Sequence, residues 1–429
     1  MERGVEWDFE PTLDRIAALM DLLGSPQQAY PVIHIAGTNG KTSTARLTEA
    51  LLKERNLRVG RFTSPHLVSV RERITVDGEP LSEERFAEAY EEIAPYVELA
   101  DTQGRRIQFF ELLTAMAFAA FADTPVDVAV VEAGMGGSWD ATNVADGTVA
   151  VITPISLDHT DRLGPDIPSI AGEKAGIIKP GATAIFAQQE VEAAQVLMRR
   201  VADVGAVVAR EGLEFGVLAR EVAMGGQLLT LRGLKGVYEE VYLPLYGEHQ
   251  ASNAVCALAA VEALTGGDDP LDVELVRAAF AQASSPGRME ILRRDPTVVV
   301  DAAHNPGGMQ ASIEAMQEAF DFAKVVGVVA VMRDKDVHTL LDLLEPILDE
   351  IVVTRNSSPR SMSPAELAAV AVPLFGEDRV RIVERIDEAI DMGIGIADAQ
   401  GEFSGTGVLI TGSVVTAGDA RHLLKADGV

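Results

Sequence analysis

Six consecutive residues, Gly37-Thr38-Asn39-Gly40-Lys41-Thr42, have the types and order needed to grip a phosphate. Glycine lets backbone N–H groups approach phosphate oxygens without a Cβ in the way. Lys41 supplies a cation for the outer phosphates, and the Thr42 hydroxyl stands where such loops place a ligand to Mg²⁺. A helix starting at the same point adds the partial positive charge of its N-terminus. The loop departs from the longer GxxxxGK[ST] pattern, because Ile35 stands where that pattern has its first glycine. The competing reading is a plain strand-to-helix turn, and the strand before it favours the phosphate loop. ATP with Mg²⁺ is the expected ligand.

Other polar groups also follow apolar strands. Glu132 ends VVE and precedes Gly134-Met135-Gly136-Gly137; a carboxylate at that point commonly holds Mg²⁺ in a phosphate-binding fold, although acids are mostly solvated. In Ser156-Leu157-Asp158-His159-Thr160, Asp158 or His159 could join a metal site, His159 through a neutral ring nitrogen. Lys174 lies in the apolar, Gly-flanked run IAGEKAGI. Burial there would depress its pKa, and a neutral lysine can add CO₂ to give a carbamate. Spacing alone favours a solvated helix lysine. Further on, Asp301 could accept ribose hydroxyls and Arg288, in SSPGR, could bind phosphate as a planar fork. A capped turn and a surface arginine explain those two residues equally well.

The elements that must position these groups alternate. From Pro31 to about Phe186 short β-branched runs alternate with helical stretches: VIHIAG reads as a buried strand, the run from Thr42 as the following helix, and FELLTAMAFAAFAD as a buried helix. DVAVVEAG and TVAVITPI are continuous apolar strands of the parallel-sheet kind. Between Val207 and Gly247 Gly-rich turns separate alternating segments, which predicts a small antiparallel appendage. A Pro-Gly turn near Ser285 precedes a second strand–helix alternation. The expectation is therefore α/β: a P-loop-type, mostly parallel sheet domain with that appendage over residues 1–284, and a smaller Rossmann-like domain over residues 285–429. Ligands would sit at the carboxyl ends of the strands, in the cleft between domains.

Bulk properties narrow the partners. With 65 acidic against 36 basic residues, the net charge of -29 disfavours nucleic acid and anionic membranes, whose recognition is built from Lys and Arg. No apolar run approaches the roughly 20 residues needed to span a bilayer. The start of the chain, MERGVEWDFEPTLDR, lacks the basic and apolar regions of a signal peptide. The single cysteine, Cys256, falls in an apolar helical pattern and is expected to be buried. A reducing, cytoplasmic setting and a monomer follow as expectations.

Taken together, GTNGKT, FTSPHL, FFELLTAMAF, VEAGMGG, LDHTDRLG, IAGEKAGI, GEHQASNA, SSPGRME, DAAHNPGG, VMRDKD and ITGS occur in an order that resembles the folylpolyglutamate synthase and dihydrofolate synthase family of Mur-type ligases. The resemblance covers essentially the whole chain, and the pattern is similar to actinobacterial members. It implies that ATP phosphorylates a carboxylate of folate or dihydropteroate and that the amino group of L-glutamate displaces the phosphate. It further implies that Gly37, Thr38, Asn39, Gly40, Lys41 and Thr42 hold the β- and γ-phosphates. Thr42 and Glu132 would serve one Mg²⁺, and Ser64, Glu132 and His159 a second. Lys174 matches a lysine that is carbamylated in the family. Lys41, Lys174 and His159 would be the catalytic groups, Asn253, Arg288, Asp301 and His304 nucleotide contacts, and glutamate would sit near His304 and Ser413.

The resemblance breaks at Ser138, where members usually continue as GGR, so a cation is missing beside the anionic ligands. Two competing readings remain. A peptidoglycan Mur ligase shares the loop and the lysine, but TSPHL and FFELLTA, and a first strand beginning near Pro31, speak against it. A nucleotide-binding relative without catalysis or with altered specificity would be consistent with Ser138.

Overall fold

A computed structural model describes residues 10–399 and 405–426; much of the acidic N-terminal stretch lies outside the described residues. Eight strands form the first sheet: β1 (Val32–Ala36), β2 (Val59–Phe62), β3 (Ile74–Val76), β4 (Glu79–Pro80), β5 (Val128–Glu132), β6 (Val149–Ile152), β7 (Thr183–Phe186) and β8 (Val207–Arg210). Their order is β4-β3-β2-β5-β1-β6-β7-β8, parallel from β2 to β8, with β3 and β4 antiparallel at one edge. The central strands are apolar on both faces because helices cover both. Ile33 and Ile35 pack under the Lys41–Glu54 and Glu248–Thr265 helices, while Val32 and Val131 face the Phe109–Asp123 helix.

The appendage is smaller than the sequence pattern suggests. Val207–Arg210 pairs in parallel with β7 and so completes the first sheet. Only β9 (Gly216–Ala223), β10 (Gly226–Arg232) and β11 (Val237–Leu243) form the antiparallel meander. Its inner face, including Leu229, Leu231, Tyr238 and Val241, shares one core with the Glu248–Thr265 helix. That helix is buried nearly all round, and Cys256 lies within it at 1% exposure, with burial pushing the thiol up.

The third sheet contains β12 (Glu290–Arg294), β13 (Thr297–Val300), β14 (Lys324–Val329), β15 (Glu350–Val353), β16 (Val380–Ile382) and β17 (Thr406–Thr411), in the order β12-β13-β17-β14-β15-β16. All neighbours are parallel except β12, an antiparallel edge that the sequence reading passed over because Glu290–Arg294 is mostly charged. No described helix is long and apolar enough to cross a membrane.

Candidate active site

The carboxyl ends of β1, β5 and β6 open into one cleft, closed from the other side by the third-sheet domain. All of the residues singled out for nucleotide, metal or catalysis line it. Two glycines make the loop after β1 possible. Gly40 has φ 87°, and a Cβ there would lie 2.3 Å from Oδ1 of Asn253; Gly37 has φ 149°, and a Cβ would strike the Thr153 hydroxyl. A side chain at either position would displace the loop.

Two lysines converge on this loop. Lys41 Nζ donates to the carbonyls of Gly37 (3.0 Å) and Thr38 (3.1 Å), and Lys174 Nζ donates to the same Gly37 carbonyl at 2.7 Å. Lys174 is 4% exposed, which overturns the solvated reading that its spacing favoured. Its helix, Ile167–Ala175, packs against the Val191–Val204 helix and shares a core with β6 and β7. Burial, then the neighbouring Lys41 cation, pushes the Lys174 amine down to about 7. Burial also lowers Lys41, although Glu132 and Asp158 oppose it.

Glu132 ends β5 fully enclosed. Thr42 Oγ1 donates to its carboxylate at 2.9 Å, and the Ser64 backbone N–H donates at 3.3 Å. Burial raises its pKa, while Lys41 and the Thr42 hydroxyl act in the other direction. Among the described residues no three His, Cys, Asp or Glu side chains come close enough to hold a metal by themselves. A hard divalent cation nevertheless fits, since Mg²⁺ is commonly held by one or two carboxylate and hydroxyl oxygens together with phosphates and water. Thr42, Glu132 and Ser64 offer that set of oxygens. His159 has the left-handed backbone (φ 50°), and burial drives its imidazole down to about 4, so its ring is neutral and able to bind a metal.

Asp158 departs from the metal role considered for it. Lys335, on the far side of the cleft, lies 2.6 Å from its carboxylate, with both side chains 8% exposed. Asn305 Nδ2 donates to Asp158 Oδ2 and to Asn39 Oδ1, each at 3.0 Å, and His304 Nε2 lies 3.6 Å from Asp158. Burial pushes the Asp158 carboxyl up, but His304, His159 and Lys335 outweigh it and hold it well below the usual range. Lys335 and Asn305 were missed as individual residues; the only hint was a lysine between acids in VMRDKD.

The second-domain contacts differ in kind. Arg288 lines the cleft, and its guanidinium has no hydrogen-bond or ion-pair partner among the described residues. Asp301 is 3% exposed and accepts from Met289 N, Ala303 N and Ser312 Oγ, so it braces its own domain as well as facing the cleft. Asn253 donates to Gln250 and accepts from Thr44. Ser138 is exposed, and both its N–H and its hydroxyl donate to the Glu173 carbonyl.

A second, more apolar cavity adjoins the first. Phe109, Phe110, Met135 and Trp139 line it, with Arg73, Lys335 and Ser413 at its polar positions. The two cavities share Ser64, Pro65, Gly134, Met135, His159, His304 and Val414. Ser413 itself is 3% exposed and tied to Asn356 and Thr416. A phosphate-gripping floor thus opens directly onto a pocket suited to a flat, partly apolar molecule.

Comparison with known proteins agrees with this geometry. Residues 35–261 match the Mur ligase middle domain, and residues 287–414 match the Mur ligase glutamate ligase domain. The chain is 53% identical to a dihydrofolate synthase/folylpolyglutamate synthase of Mycobacterium tuberculosis, over 99% of this chain and 92% of that protein. It is 33% identical to the Bacillus subtilis protein of the same name, over 98% and 96%. A crystal structure of Mycobacterium tuberculosis folylpolyglutamate synthase complexed with ADP and AMPPCP superposes with a TM-score of 0.94 at 55% identity, covering 96% of this chain and 95% of that one. An E. coli structure, FolC with DHPP and ADP, gives a TM-score of 0.87 at 30% identity, covering 100% and 96%.

Proposed function

The chain belongs to the Mur ligase family, in its dihydrofolate synthase/folylpolyglutamate synthase branch, and on that premise we propose that it joins L-glutamate to folate-type carboxylates at the expense of ATP. The observation that carries this reading is the meeting of the two cavities at Ser64, Gly134, His159 and His304. ATP on the loop would place its γ-phosphoryl group where a carboxylate entering from the apolar cavity can attack it. The bond to ADP breaks, an acyl phosphate forms, and the glutamate nitrogen then displaces phosphate, losing a proton as the amide forms.

The chain's residues supply position and charge, which is most of what phosphoryl transfer requires. Backbone N–H groups of Gly37 to Thr42 cradle the phosphates, and Lys41 swings from the loop carbonyls to the β- and γ-oxygens. Arg288, whose guanidinium has no partner among the described residues, faces the nucleotide from the second domain, with Asn253, Asp301 and His304 beside it. Thr42, Glu132, Ser64 and His159 would hold up to two Mg²⁺ ions, which when bound screen phosphate charge. Lys174, buried and easily made neutral, is suited to carbamylation, and its new carboxylate would face Lys41. Glutamate would sit near His304 and Ser413, beside the Lys335–Asp158 pair that bridges the cleft. We further assign residues 1–284 and 285–429 as the two domains and infer a monomer of the cytoplasm that uses both dihydropteroate and tetrahydrofolate forms, without nucleic-acid or membrane partners.

The test is ADP release in the presence of Mg²⁺. Release that requires both a pteroate or folate acceptor and L-glutamate is expected. Nucleotide binding with no glutamate-dependent turnover would contradict the reading.

A further inference from the structure

The strand that feeds the phosphate loop has one polar residue among apolar ones, His34, and it is fully buried. Gly147 leaves room for it, since a Cβ there would lie 3.0 Å from the Cβ of His34. Nε2 of His34 is 2.8 Å from Oγ1 of Thr142, and that hydroxyl hydrogen-bonds Oδ1 of Asp140. Asp140 is 3% exposed and also accepts the backbone N–H groups of Thr142 (3.0 Å) and Met135 (2.9 Å), with that of Gly134 contributing.

These contacts fix the direction of the chain. Burial raises the Asp140 carboxyl, while the Thr142 hydroxyl and the backbone N–H groups of Met135, Thr142 and Gly134 act the other way and favour its ionised, accepting form, to which the Thr142 hydroxyl gives its one hydrogen. The imidazole must then donate from Nε2, leaving Nδ1 bare. Nδ1 is a buried nitrogen without a hydrogen-bond partner among the described residues. Burial, then the charge of Lys179, pushes the His34 ring down to about 3, so it is neutral. Leaving that nitrogen unsatisfied costs stability.

The chain begins three residues before Gly37 and ends on a loop that faces both ligands. Gly134 and Met135 line both cavities, and Asp140 lines the apolar one. We propose that His34 and Thr142 are positioning residues that hold Asp140 and the Gly134–Met135 backbone where an acceptor in the apolar cavity meets the phosphate loop in register. The inference rests on the reading of that cavity as the site of the folate-type acceptor.

The test compares Thr142→Val, which keeps shape and removes the hydroxyl, with Thr142→Ser, which keeps it, and adds His34→Leu alone and combined with Thr142→Val. KM for acceptor and for ATP, kcat and thermal midpoint are measured on the full chain. Thr142→Val should raise the acceptor KM about tenfold, below the roughly hundredfold that a 1 Å misplacement can cost, and leave the ATP KM within about twofold. Thr142→Ser should restore the acceptor KM, and the double variant should be no worse than Thr142→Val. Equal changes in both KM values, no change in either, or effects that multiply would overturn the proposal. Should His34→Leu fail to fold, the Val and Ser variants decide the matter by themselves. An unaltered enzyme without glutamate-dependent turnover would instead overturn the functional reading, and the relay's role would fall with it.

Discussion

The two walls of the cleft are built differently. On the first-domain side the chemical groups satisfy one another locally: Lys41 and Lys174 both donate to Gly37, and Thr42 donates to Glu132. The adjacent ends of β1 and β5 and the Ile167–Ala175 helix suffice to place them. On the other side the groups become a site only when the domains meet, as Lys335, Asn305 and His304 gather around Asp158. The floor is preorganised by backbone geometry, whereas the roof is held by charges crossing the cleft. Damage to the floor should therefore remove chemistry, and damage to the roof should weaken closure.

The largest expected effect follows from Lys174→Ala. Turnover should fall about a hundredfold, the scale for losing one preorganised electrostatic group, and added acetate should recover part of it. A near-normal rate would contradict the carbamate role. The carbamate forms from the neutral amine, and the Lys174 pKa of about 7 sets the sign: the neutral form is lost as pH falls. At a fixed concentration of dissolved CO₂, activation should slow about fivefold from pH 7 to pH 6 and gain less than about twofold above pH 7. Because the folded state binds fewer protons than the unfolded chain from about pH 7 up to the ordinary lysine range, this group's contribution to stability rises with pH across that window.

A smaller effect should come from the cross-cleft pair. Lys335→Met leaves the buried Asp158 carboxylate with weaker partners, costing about 2 kcal/mol and appearing as about a thirtyfold fall in kcat/KM. Combining it with Asp158→Asn should cost less than the sum of the two single changes. Strict additivity would show that the pair does not hold the domains together.

The smallest effect should be that of Ser138→Arg. Position 138 is exposed and its present contacts go to the Glu173 carbonyl, so kcat/KM should change by no more than about twofold, as at other surface sites. A tenfold gain would show that the missing cation matters to catalysis and that the floor reaches further than described.

This contrast also explains what could be read in advance. The floor was legible because phosphate chemistry demands contiguous residues: Gly37 to Thr42 must be adjacent, and Glu132 must follow an apolar strand. Lys174 shows the limit, since its spacing favoured solvent while the packing of its helix put it at 4% exposure. Asp158 and Lys335 are 177 residues apart, and nothing local marks them as partners. The edge strand Glu290–Arg294 and the true limit of the appendage escaped for a related reason: pairing with β13 and β7, rather than residue type, decides them. His34 was read as part of an apolar strand, and its relay to Asp140 appears only when Thr142 is brought beside it.

The central claim is that the acceptor carboxylate attacks ATP across the junction of the two cavities. It is tested most directly with an acceptor whose carboxylate carries ¹⁸O. An acyl phosphate route transfers one labelled oxygen to the released phosphate in every turnover. Phosphate free of label, with amide still formed, would contradict the account.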